Sequence, residues 1–203
     1  GIAFDPHDDL YVVDSLNDRI QKFTKQGKYL QGWGGPGDEV GRFNRPWGIT
    51  VDRSGDVYIA DWGNNRVQKF SADGDPMMVI GQAGTEDGEF HRPMGVAVDA
   101  HGDIYVCDWG NNRVQLFNQE GHYIWKFLGD ASLSRVSRTY MMTNAMPNRL
   151  REMGKLEEEK YLRRPRSVRV DKEFRLFVPD YESYRVQIYQ KDFIPLDEDQ
   201  MSA

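Results

Sequence analysis

The chain has 203 residues, 39% hydrophobic and 29% charged, with a formal net charge of -6. That length can bury a real core in one or two domains, and 12% aromatics argue against disorder. No apolar run approaches the length of a membrane span, one cysteine rules out an intrachain disulfide framework, and the acidic balance disfavours RNA held through bulk charge.

In chain order the elements repeat. Gly1-Ile2-Ala3-Phe4-Asp5 returns as Gly48-Ile49-Thr50-Val51-Asp52 and again as Gly95-Val96-Ala97-Val98-Asp99, an offset of 47 without gaps. A fourth copy, Ser167-Val168-Arg169-Val170-Asp171, follows the third by 72. In every copy a second Asp precedes an Arg by five residues: Asp14/Arg19, Asp61/Arg66, Asp108/Arg113 and Asp180/Arg185.

Each unit reads as four short strands. In the second, the β-branched run Ile49 to Asp52 leads into an Asp-Arg-Ser-Gly turn, then Val57 to Ala60, a Trp-Gly-Asn-Asn loop, Val67 to Phe70, an Ala-Asp-Gly turn and Met78 to Ile80. Four strands in under fifty residues, with no helix between them, predict a propeller blade and exclude parallel βαβ winding. The expected fold is therefore an all-β β-propeller of four-stranded blades. The expected divisions are blades at 1–47, 48–94, 95–129 and 164–196, a helical insertion at 130–163 and a tail at 197–203.

The run Arg92-Pro93-Met94-Gly95-Val96-Ala97-Val98-Asp99, with Ile104 to Asp108 and Asn112-Arg113-Val114-Gln115-Leu116-Phe117, resembles the NHL repeat. The resemblance covers about residues 1–130 and 164–190, and is tightest in the second and third copies. It implies a propeller, usually of six blades, whose relatives include RNA- and protein-binding platforms, receptor sensor domains and a metal-dependent lyase. Four units are visible, and no Arg-Pro lead-in precedes the first. The expectation is a six-bladed ring with two further blades on the N-terminal side; closure by another chain or as a four-bladed ring are the alternatives.

In the insertion, Ser132 suits a cap for a helix carrying Leu133, Val136 and Tyr140, and Pro147 the start of one carrying Leu150, Met153 and Leu156. Glu159 and Arg163 form a favourable helical pair. Residues 130–166 hold nine Lys/Arg against five Asp/Glu, a local excess of positive charge. Such an arm suits packing on a blade flank or capping the ring face that carries the Trp-Gly-Asn-Asn loops.

The repeated Asp and Arg of each unit are read as structural, pairing across the loop or capping backbone groups. Gly63 and Asn64 are read as the residues that take left-handed conformations there. The aromatic that opens the loop varies between units, so Trp62, Trp109 and Tyr181, with Asn64 and Asn111, are the candidate ligand-binding rim; packing between blades is the competing role.

Other motifs carry less. The Gly-rich stretches at 34–39 and 81–88 lack the Lys-Ser/Thr ending of a phosphate loop and read as inter-blade linkers. The Asp-rich turns lack calcium-loop spacing. His7, His101 and His122 fall in turns and His91 in a lead-in, so no set converges on a channel. Cys107, in the slot of Ala60, reads as a small buried residue. No catalytic residue, metal ligand or cofactor is assigned, and the sequence leans away from an enzyme. The expected function is a non-catalytic scaffold binding a protein, peptide or small ligand on one ring face. A metal-dependent lyase or hydrolase and a single-stranded RNA-binding propeller are the alternatives. A protein or peptide partner is expected, with no membrane span; the oligomeric state and compartment stay open.

Overall fold

The computed structural model describes residues 1–130 and 160–191. The first sheet is built from β1 (Ile2–Phe4), β2 (Leu10–Asp14), β3 (Arg19–Phe23) and β4 (Tyr29–Gly34). The second comprises β5 (Pro46–Val51), β6 (Val57–Asp61), β7 (Arg66–Phe70) and β8 (Pro76–Ile80). The third comprises β9 (Pro93–Val98), β10 (Ile104–Asp108), β11 (Arg113–Phe117) and β12 (Tyr123–Phe127). In the fourth, β13 (Arg169–Val170), β14 (Arg175–Asp180) and β15 (Arg185–Gln190) are described. Within each sheet the strands lie in chain order and every pair is antiparallel. This is the meander of a propeller blade, and the chain is an all-β propeller. The helices expected between Ser132 and Glu159 lie outside the described residues.

The blades stack through alternating side chains. Ala3, Tyr11 and Ile20 of the first blade meet Ile49, Val57 and Ile59 of the second in one apolar cluster. Tyr58 and Val67 meet Val96, Ile104 and Val106 in the next. Ala97, Tyr105 and Val114 meet Val168, Leu176 and Val178 in the third. Because period-two strands present opposite faces alternately, each blade offers one set forward and another back. Phe43 and Phe90, both fully buried, arrive from the lead-in segments and pack against Phe70 and Phe117.

Glycine sets how closely the innermost strands approach. A Cβ on Gly48 would stand 2.4 Å from the Met94 carbonyl oxygen and 2.8 Å from the Gly95 Cα.

Candidate functional site: the Trp-loop face

The β2–β3, β6–β7, β10–β11 and β14–β15 connections all emerge at one end of the blades. In the second to fourth blades they form single 3₁₀ turns, Trp62–Asn64, Trp109–Asn111 and Tyr181–Ser183. The left-handed residue is the one after each turn, at φ 54° for Asn65, 55° for Asn112 and 51° for Tyr184, rather than Gly63 or Asn64 as the sequence suggested. Gly63 is needed for another reason: a Cβ there would lie 2.4 Å from Asn44 Cγ. Its N–H donates to the Asn44 carbonyl at 2.7 Å, which brings loop and lead-in together.

Beneath the face each blade carries one hydrogen-bonded core. Asp61 is fully buried, and its Oδ2 accepts from Arg66 Nε at 2.9 Å, Asn64 Nδ2 at 2.9 Å and Gln68 Nε2 at 3.1 Å. Its Oδ1 accepts the Asn44 N–H at 2.8 Å. Arg66 in turn donates to the carbonyls of Asp38, Glu39 and Arg42, and Gln68 to that of Arg42. Asp108 repeats the set with Arg113, Asn111, Gln115 and the His91 N–H. Asp180 does so with Arg185, Gln187 and the Arg163 N–H, and Asp14 pairs with Arg19 at 2.8 Å. The carboxylate thus ties the lead-in to the blade it enters. Burial pushes the Asp61 and Asp108 carboxyls above their usual range, against the pull of these donors.

The glutamine of this clamp is the residue sequence reasoning missed. It stands two positions after the Arg in every unit, as Gln21, Gln68, Gln115 and Gln187, and that recurrence is the signal that identifies it.

Each candidate rim residue has a defined place. Asn64 donates to the carbonyl of Gly37 as well as to Asp61, and Asn111 to that of Gly84 as well as to Asp108. Their amide hydrogens are spent inside the blade. Trp62 is half-buried, with the Arg92 guanidinium 4.7 Å from its ring centroid; Trp109 likewise carries Arg164 at 5.0 Å. Tyr181 is 53% exposed, with Arg166 at 3.6 Å. These arginines come from the lead-ins, where Arg45, Arg92 and Arg164 each precede a proline at φ between 51° and 59°. Their N–H groups donate to Asp18, Asn65 and Asn112 of the preceding blade.

An open depression of about 380 Å³ at the second seam is lined by Asn44, Arg45, Trp62, Asn65, His91 and Arg92. A smaller groove of about 180 Å³ runs along the innermost strands past Trp47, Met94, Arg166 and Arg169. Cys107 is fully buried with its Sγ 3.0 Å from the Ser167 carbonyl, and burial pushes its thiol up. Among the described residues no group of three or more His, Cys, Asp or Glu is placed to hold a metal ion. No described helix is long and apolar enough to cross a membrane.

A meander of sheets with one Asp–Arg–Gln clamp per blade defines a repeat propeller. Residues 43–70 and 90–117 match the family model of the NHL repeat, so the chain carries NHL repeats. Comparison with curated proteins gave no match. Among solved structures, the nidogen/laminin complex aligns at 20% identity and a TM-score of 0.62, over 94% of this chain and 58% of that one. A protein of unknown function from Bacteroides thetaiotaomicron aligns at 18% and 0.63, over 93% and 46%. A streptogramin B lyase aligns at 12% and 0.59, over 94% and 54%. The chain spans about half the length of these structures, and at such identities the likeness establishes the fold.

Proposed function

We propose that the chain is a non-catalytic propeller scaffold that binds a protein or peptide segment on its Trp-loop face. The observation that carries this reading is the alternation of aromatic rings and arginines along that face. Trp62 with Arg92 and Trp109 with Arg164 repeat one arrangement across two successive seams, and Tyr181 with Arg166 adds a third ring–guanidinium pair within the fourth blade. Aromatics and arginine supply most of the energy at protein interfaces, because each presents a large, stiff contact area with a polar edge. The nidogen/laminin complex is one relative of similar fold seen with a protein partner, which supports the reading by analogy.

The test is selection of displayed random peptides on the whole chain, against a Trp62→Ala/Trp109→Ala variant whose fold is verified by circular dichroism. Sequences enriched on the wild type and lost on the variant support the reading. Enrichment that survives both substitutions removes it.

The same rings favour a second reading, single-stranded RNA, since a ring already faced by a guanidinium is a stacking platform for a base. Filter binding over a salt series checks it; a steep negative slope supports RNA, and absent binding dismisses it.

A further inference from the structure

We infer that the partner of the Trp-loop face is an acidic peptide segment, recognised by unpaired arginines at the inner ends of the lead-ins. This rests on the function proposed above and names the chemistry of its ligand.

The two ends of the blades differ in charge balance: the described loops and lead-ins at the Trp-loop end hold eight Asp and Glu against seven Lys and Arg. The β1–β2, β5–β6, β9–β10 and β13–β14 turns, with the turns between third and fourth strands, hold twelve Asp and Glu against four Lys and Arg. Several of these carboxylates are neutralised locally: Lys22 reaches Asp5 at 3.0 Å, Lys69 reaches Asp56 at 2.8 Å and Arg175 reaches Asp171 at 2.6 Å. The opposite end differs. Arg45, Arg92, Arg163 and Arg166 are all exposed, and none has a carboxylate within ion-pair distance among the described residues. Arg164 pairs with Glu182 at 3.1 Å. The same lead-ins also carry Asp38, Glu39, Glu86, Asp87 and Glu89, of which Asp87 is held by Lys126 at 2.7 Å.

These arginines do not wander as free surface cations do. Arg92 and Arg166 are laid on Trp62 and Tyr181, so part of the entropy cost of ordering a long side chain is already met before a ligand arrives. A planar guanidinium fixed in this way is suited to accept a carboxylate with two parallel N–H···O bonds. The exposed aromatic edge beside it, with Trp47 at 48% exposure, suits the apolar part of the same peptide.

The overall negative charge does not defeat this. Salt screens charges beyond about 8 Å at physiological ionic strength, so the acidic turns at the other end of the blades contribute little to a ligand on this face. Nucleic acid, with dense and regular charge, would feel the remaining repulsion at more points than a short peptide with a few carboxylates.

The experiment is fluorescence anisotropy of a labelled Glu/Asp-rich peptide containing two tyrosines, against its Gln/Asn isostere, on the whole chain. The acidic peptide is expected to bind about tenfold or more tighter than the isostere and to weaken with salt. Arg45→Gln/Arg92→Gln should abolish that preference, while Arg53→Gln, in a turn at the other end, should leave it intact. Equal binding of both peptides, still lost in Trp62→Ala/Trp109→Ala, overturns the acidic partner while the binding face stands. Failure of the acidic peptide to bind, or binding indifferent to every variant on this face, overturns the inference; in the second case the face itself falls too. Arginine-dependent binding of single-stranded RNA tighter than the peptide overturns it in favour of nucleic acid.

Discussion

Lys191 Nζ lies 2.7 Å from Asp99 Oδ2, joining the end of the fourth blade to the first turn of the third, 92 residues away. It also reaches Asp103 at 2.5 Å. The first and second blades supply this cation from their own third strands, as Lys22 and Lys69. In the third blade that position is Leu116, packed beside the apolar cluster, so the turn carboxylates draw their partner from the neighbour. Burial works against charge on Lys191, but the two carboxylates outweigh it and hold its pKa above the ordinary lysine value.

Replacing Lys191 by Met should therefore destabilise by about 1–3 kcal/mol, because Asp99, whose side chain is fully buried, loses its cation. Urea denaturation measures it. Adding Leu116→Lys should recover part of the loss by restoring the arrangement of the first two blades. A Lys191→Met variant as stable as wild type would show the bridge to be inconsequential.

The clamp under the Trp-loop face should be sensitive to its glutamine. Gln68→Leu leaves the Gly41 N–H without its acceptor and the Arg42 carbonyl without one of its donors. A cost of about 1–3 kcal/mol is expected in denaturant unfolding, with faster amide exchange at Gly41. Unchanged exchange there would mean that the lead-in is held without the glutamine.

Much of this fold was legible because it is local and repeated. The offset of 47, the strand alternation and the Asp–Arg spacing each follow from one unit copied along the chain. The Asp61–Arg66 and Asp108–Arg113 pairs emerge with that spacing. Contacts between units were not legible in the same way. That Gly63 is small because Asn44 lies against it, or that Asn64 donates to Gly37, depends on how one blade's lead-in crosses its loop. Lys191 meets Asp99 only once two blades are stacked, and nothing in the spacing of either unit marks the pair.

Gly48→Ala tests the close approach of the innermost strands. The added methyl must displace backbone of the third blade, not a movable side chain, so a loss of about 1–3 kcal/mol is expected from thermal or urea unfolding. Gly27→Ala, with nothing within 4 Å but φ at 83°, separates conformational strain from crowding. If Gly48→Ala costs no more than Gly27→Ala, crowding does not limit the approach.

Acid should destabilise the chain below about pH 4. At Asp5 burial opposes ionisation, but the N–H groups of Asp9 and His7 and the Lys22 ammonium prevail; at Asp14 the Arg19 guanidinium leads. Both carboxyls are held below their ordinary value in the folded chain. Their contribution is present above the unfolded pKa and lost as pH falls through the folded one. Asp61 and Asp108 run the other way: burial raises them, so the folded state takes up a proton first and acid favours it between the two values. The melting temperature should thus fall below about pH 4 less steeply than the lowered carboxyls would dictate. A melting temperature that rises steadily from pH 6 to pH 3 would contradict the assignment.

In the function proposed above, this propeller binds its partner on the Trp-loop face. Hydrogen exchange measured by mass spectrometry, with and without the acidic peptide, tests it most directly. Protection at residues 44–47, 62–65, 91–94, 109–112 and 163–166, with the turns at 52–56 and 99–103 unchanged, is the predicted result. Protection confined to those turns, or to the flanks of the blades, would contradict it.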